Sequence, residues 1–128
     1  MAYIGDSSEI GRKGEDIACK FLEGKGHKIL NRNFRIRFGE IDIVTEMAKV
    51  VHFVEVKTTT RRQGDDMHQR PEENVNESKK RKFSRAVQSY LAKAYGDEMP
   101  EWVFLVVAIT LDVKSKKAFV KVIEEVLE

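Results

Sequence analysis

Apolar residues change their spacing along the chain, and each change marks an element. From about Ser8 to Lys25 they fall at Ile10, Ile17, Ala18, Phe21 and Leu22, with Gly14 on the same stripe. This is helical spacing, and Gly26 supplies the stop. Asp6, Ser7 or Ser8 can cap this helix after a loose leader over 1–7. Gly14 lets the helix approach a sheet closely, at about 1 kcal/mol relative to alanine. Residues 28–38 then alternate: Phe34, Ile36 and Phe38 against Arg35 and Arg37, a strand with one apolar and one basic face. Gly39 marks a bulge or a close approach of backbone.

The next stretch, GEIDIVTEMAKVVHFVEVK over 39–57, predicts two strands folded back on each other. Glu40 to Thr45 alternates acid and aliphatic, and Val50 to Lys57 is dense in β-branched residues, as in a strand near a sheet centre. A turn centred on Ala48-Lys49 makes paired positions sum to 97. Asp42 then lies opposite Glu55 and Glu40 opposite Lys57, all on one face, with Ile41, Ile43, Val54 and Val56 on the other.

After Lys57 the chain turns polar to about Glu73, predicting a loop. A second helix is expected from about Val75 to Tyr95, with Asn74 and Glu77 resembling a capping box and Gly96 as the stop. Its apolar stripe is Phe83, Val87, Tyr90, Leu91 and Ala94, where the aromatics are core residues. Trp102 to Val113 is a continuous apolar run, a buried strand. A turn at Ser115-Lys116 leads to a last strand over 118–123 and an acidic end. The order gives an α/β fold, a mixed sheet flanked by two helices, in a single domain over 1–128.

Composition narrows the class. The chain is 41% hydrophobic and 34% charged, and no apolar run approaches the roughly 20 residues that span a membrane. A single cysteine, Cys19, makes no internal disulfide, and no Cys/His set has zinc spacing. A cytoplasmic location and no membrane partner are expected. The net charge of +2 is unevenly spread: residues 39–56 carry one base against four acids, and residues 57–93 carry ten bases against five acids. An acidic centre beside basic segments suits a metal site served by phosphate-gripping arms.

Like charges directly opposite destabilise a strand pair. Asp42 against Glu55 therefore calls for compensation, and a divalent cation is the simplest, since one or two carboxylates plus water and substrate phosphate suit Mg²⁺ (or Mn²⁺). Lys57 beside it would hold a phosphate or orient a water. The alternative is that Glu40 pairs with Lys57 and the acids are solvated.

GEID followed by FVEVK resembles the YraN-type family of small bacterial proteins, which are similar to the PD-(D/E)xK, restriction-endonuclease-like nucleases. Gly11-Arg12-Lys13-Gly14-Glu15 matches the family's GRxGE segment, and Ile29, Leu30, Asn33 and Arg35 match its next strand. The resemblance covers nearly the whole chain. It departs at Val103–Val107, where Leu105 stands at a usually acidic position. It implies a restriction-endonuclease-like core, with Asp42, Glu55 and Lys57 as the catalytic set and Asp42 and Glu55 holding the metal. Glu15, from the first helix, and Glu40 are auxiliary candidates; Glu15 equally suits a first-turn acid favoured by the helix dipole.

Candidate phosphate contacts are Arg12, Arg35, Arg37, Arg61, Arg62 and the run Lys79-Lys80-Arg81-Lys82, which is better explained by nucleic acid than by a solvated helix face. Arg35 and Arg37 would otherwise neutralise the acids. The implied activity is structure-selective hydrolysis of DNA by a metal-dependent enzyme, with a homodimer suggested by related nucleases. A non-catalytic nucleic-acid-binding module of the same fold is the alternative, and a protein-interaction subunit a weaker third.

Overall fold

The computed structural model describes residues 7–62 and 77–125. The leader over 1–6, the polar stretch over 63–73, the Asn74 cap and the last three residues lie outside the described residues. The elements are α1 (Ser7–Gly24), β1 (Lys28–Ile36), β2 (Gly39–Met47), β3 (Val50–Arg61), α2 (Glu77–Tyr95), β4 (Glu101–Asp112) and β5 (Lys117–Glu125). The strands form one sheet in the order β1-β2-β3-β4-β5. β3 and β4 are parallel, with α2 as their crossover, and the other pairs are antiparallel. The expected α/β class with two flanking helices is observed.

α1 ends as Gly26 predicts. Its φ is 100°, and His27 N donates to Leu22 O while Gly26 N donates to Glu23 O, both at 3.0 Å. These two bonds satisfy carbonyls the last turn would otherwise leave open. Gly14 sits against Thr58 of β3, where a Cβ would collide with the threonine side chain. Close approach is thus why the stripe tolerates a glycine.

The helices cover opposite faces. On the α2 face, Phe53, Phe83, Val87, Tyr90, Leu91, Phe104 and Val106 form one core. On the α1 face, Ala18, Leu22, Ile43, Val54, Val107 and Ile109 form the other. Each large apolar side chain among them contributes about 1.5–3 kcal/mol on full burial. Phe83 and Tyr90 are core aromatics as expected, and the Tyr90 hydroxyl also donates to Asn31 Oδ1 at 2.6 Å, tying α2 to β1.

The β2–β3 hairpin has the expected register, Ile43 opposite Val54 and Met47 opposite Val50. Ala48 and Lys49 take φ of 52° and 65°, the two left-handed residues of a type I′ turn, here without asparagine or glycine.

Three expectations are corrected. Ile41 does not share a face with Ile43, Val54 and Val56; it packs in the α2 core. Phe38 does not continue the apolar face of β1, because the strand ends at Ile36 and Phe38 lies in the following turn, 57% exposed. The segment after Lys57 is strand rather than loop as far as Arg61, since Thr58 to Arg61 pair in parallel with Ile109 to Asp112. Threonine is β-branched and suits that position.

Candidate active site

Sheet irregularity builds the site. β2 pairs with β3 only as far as Ile43–Val54, leaving Asp42 and Glu55 as the first residues beyond the ladder. The β1–β2 pairing also skips Asn33, the residue facing Asp42, and Asn33 has a φ of 54°. Both strands switch face there. Arg32 ion-pairs with α1, whereas Phe34 stacks on Tyr90 of α2 at 5.1 Å. On β2, Ile43 packs with α1 and Ile41 with α2. Asp42 therefore sits in a gap where β2 parts from β3.

Its carboxylate fills that gap. Oδ2 accepts a hydrogen bond from the Val56 backbone N–H at 2.7 Å. Burial pushes the Asp42 carboxyl up to about 7; the Val56 N–H pulls it down, while the charges of Glu15, Glu55 and Glu40 add to the rise. An acid with this pKa is readily neutral without a cation.

Glu55 is 6% exposed. Its Oε1 lies 3.1 Å from Lys79 Nζ and 3.8 Å from Lys57 Nζ, while Oε2 is buried without a hydrogen-bond partner among the described residues. Burial lowers the Lys57 pKa, reinforced by a hydrogen bond from Lys79. Burial also opposes charge on Lys79, but hydrogen bonds to Lys57 and Glu55 outweigh it and hold that ammonium above its usual range. The like-charge problem between Asp42 and Glu55 is thus met by a raised carboxyl and two lysines.

The acids open onto a cavity of about 430 Å³ lined by Asp42, Glu55, Glu40 and Val56, with Arg35, Arg37, Lys79 and Lys82 contributing bases. Ile36, Gly39 and Phe83 complete the wall. Glu40 is not paired with Lys57, because the strands have separated; it ion-pairs with Arg35, its neighbour across β1–β2, at 3.1 Å.

Glu15 lies on the other side of the sheet. It lines a second cavity of about 510 Å³ with Ile10, Gly11 and Thr58 to Thr60, and Val56 borders both cavities. Burial raises its pKa despite Arg32 at 3.9 Å and a hydrogen bond with Asn33. Glu15 reaches Asp42 through charge. Arg32 and Asn33 were not signalled as site residues by the strand pattern, since the face switch at Asn33 breaks the alternation that would place them.

The remaining basic candidates divide. Lys79 reaches the acids and Lys82 borders the cavity; Lys80 and Arg81 lie on the same turns of α2. Arg37 packs over Phe38 with 5.0 Å to the ring centre. Arg12 is exposed on α1 and donates to Ser8 at 3.4 Å. Arg61 is not part of a loop: it is a strand residue paired with Asp112 at 3.6 Å, four residues along β3 from Lys57, and exposed Arg62 follows it. Away from the cavity, His27 donates to or accepts from Thr45 Oγ1 at 2.7 Å and packs edge-on against His52, a buried pair at the hairpin end.

Among the described residues no three His, Cys, Asp or Glu side chains form a ready-made metal cage, and no helix is long and apolar enough to cross a membrane. Comparison with known proteins places the chain in a family. The model of the uncharacterised protein family UPF0102 matches residues 14–109, from α1 into β4. A UPF0102 protein of Syntrophotalea carbinolica is 46% identical over 90 residues, 70% of each chain. One of Chloroherpeton thalassium is 36% identical over 117 residues, covering 91% of this chain and 87% of the relative. One of Campylobacter lari is 56% identical over 50 residues, 39% of this chain and 45% of the relative. The chain belongs to the uncharacterised protein family UPF0102, the YraN-type family that its GEID and FVEVK segments resemble.

Proposed function

We propose that this protein is a metal-dependent phosphodiesterase that hydrolyses DNA, selecting branched or end-containing structures, with a core related to the restriction-endonuclease-like nucleases. The observation that carries the reading is that Asp42 and Glu55 meet on one cavity under a basic rim where β2 and β3 part, with Lys57 Nζ 3.8 Å from Glu55. The acids fit a hard divalent cation. Glu55 Oε2 is a buried oxygen with no hydrogen-bond partner among the described residues, and two carboxylates suffice for Mg²⁺, which keeps several waters. Asp42 and Glu55 would hold the ion. When bound, Mg²⁺ or Mn²⁺ polarises a phosphoryl oxygen and lowers the pKa of a water.

The chain's own residues supply the rest. Lys57, with its lowered pKa, orients the attacking water by accepting its proton or, when charged, stabilises negative charge developing on phosphorus. Arg35, Arg37, Lys79 and Lys82 surround the cavity and grip backbone phosphates. Glu15 adjusts Asp42 through its charge, and Glu40 holds Arg35.

One observation favours a second reading. Glu55 is already satisfied at Oε1 by Lys79 and Lys57, a closed network that also suits a nucleic-acid-binding module without catalysis. Metal-dependent cutting of a labelled DNA panel, lost in Asp42→Asn, separates the two. Salt-sensitive binding without cutting supports the module.

A further inference from the structure

Among the described residues β1 and β5 are the two edges of the sheet, and they differ. β1 shifts register between Ile29 and Asn31 and passes through Asn33 with its φ of 54°. Such irregularity makes a poor template for another strand. β5 pairs with β4 without a shift from Phe104–Glu125 to Asp112–Lys117, so its outer N–H and C=O groups form an unbroken row. Neither helix makes a substantial contact with β5. Phe119 and Val122 are 41% and 42% exposed; their odd separation puts one on each face.

We propose that this edge pairs antiparallel with β5 of a second copy of the chain, about a two-fold axis at Lys121, giving one ten-stranded sheet. Charge singles out the occupant. The strand begins at Lys117 and ends at Glu124-Glu125, so an antiparallel mate of the same polarity sets base against acid at both ends. A two-fold axis normal to the sheet preserves its faces, so facing positions share parity. Centred on Lys121, Phe119 faces Ile123 of the partner subunit, and Val120 faces Val122 of the partner subunit. Lys121 meets the partner subunit's Lys121 on the axis, a like-charge pair that weakens the contact and that the apolar pairs on either side outweigh. A shift of two residues either way would set Lys121 against an apolar residue, Ile123 of the partner subunit or Phe119 of the partner subunit, and undo the apolar matches. The pairing uses none of the chemistry at Asp42, and β5 lies outside the residues matched by the family model.

The test uses the full chain in a Cys19→Ala background. In Lys121→Cys the two thiols face each other at the axis, with Cα atoms about 4.5–5.5 Å apart, within disulfide reach. In Ala118→Cys each thiol lies roughly 20 Å from its mate. Mild oxidation should crosslink Lys121→Cys and spare Ala118→Cys. Sedimentation should show a wild-type dimer and a monomer in Phe119→Lys/Val122→Lys with its circular dichroism unchanged. Equal crosslinking of the two cysteine proteins, a wild-type monomer at tens of micromolar, or a dimer that survives the Phe119/Val122 exchange would each overturn the proposal. Should the lysine exchange prevent folding, the cysteine pair decides.

Discussion

The Asp42 side chain takes the place of a backbone acceptor for Val56: Oδ2 accepts the Val56 N–H at 2.7 Å where the β2–β3 ladder has stopped. One carboxylate oxygen thus holds the splayed strands in place and keeps the group beside Glu55. The two roles separate by substitution. Asp42→Asn retains an acceptor, whereas Asp42→Ala strands a buried N–H, a loss of about 1–3 kcal/mol. Urea unfolding near pH 4, where the Asp42 contribution is still present, should show the alanine protein destabilised and the asparagine protein close to wild type. Equal loss in both would mean that charge, not the acceptor, holds the strand.

The same carboxyl sets a pH dependence in the metal-free protein. Its folded pKa, about 7, lies above its ordinary 3.8, so the folded state binds the extra proton between those values. Stability from Asp42 is fully present at the acid end and falls as pH rises from about 4 to about 7, by at most about 1.4 kcal/mol per unit. His27 and His52, lowered by burial, act oppositely below their ordinary range. The difference between wild type and Asp42→Asn isolates the Asp42 contribution, and urea midpoints at pH 5 and 7.5 measure it. A difference that stays flat with pH contradicts the assignment.

Gly39 lies where β2 meets α2, and a Cβ there would run into the Lys82 carbonyl, which is backbone and cannot rotate aside. Gly39→Ala should push α2 from the sheet and destabilise by about 1–3 kcal/mol. Gly11, with nothing near its missing Cβ, is the contrast: Gly11→Ala should stabilise by about 0.4–1 kcal/mol through the unfolded chain. Thermal melts of the two proteins should move in opposite directions.

Much of this was legible in the sequence. The hairpin register followed from centring the short turn on Ala48-Lys49, which the Ile43–Val54 and Met47–Val50 pairs match. Gly14, Gly26 and Gly39 signalled close approach or a stop by lacking a side chain where one would otherwise be expected. The face switch at Asn33 and Asp42 was not legible, since asparagine tolerates a left-handed backbone but does not require one inside an alternating run. The polarity of Thr58 to Arg61 hid a strand whose pairing is supplied by β4, far along the chain. Lys79 was visible as part of a basic run, but its reach to Glu55 depends on how α2 packs.

On the proposed function, that basic run would carry the salt dependence of DNA binding. Replacing Lys79, Lys80, Arg81 and Lys82 by glutamine should flatten the slope of log affinity against log salt by roughly 0.9 for each phosphate that is no longer neutralised. Fluorescence anisotropy across a salt titration reads the slope. An unchanged slope would remove α2 from the interface.

The most direct measurement is cleavage of a labelled four-way junction, with matched duplex, flapped and single-stranded DNA, in Mg²⁺ or Mn²⁺. Wild type, Asp42→Asn and Lys57→Ala are purified identically and compared. The expected result is metal-dependent cutting by wild type alone, strongest on a branched substrate, while Lys57→Ala still binds DNA. Binding by all three proteins with no cutting by any would contradict the enzyme and leave the binding module; equal cutting by all three would show that the activity does not arise at Asp42 and Lys57.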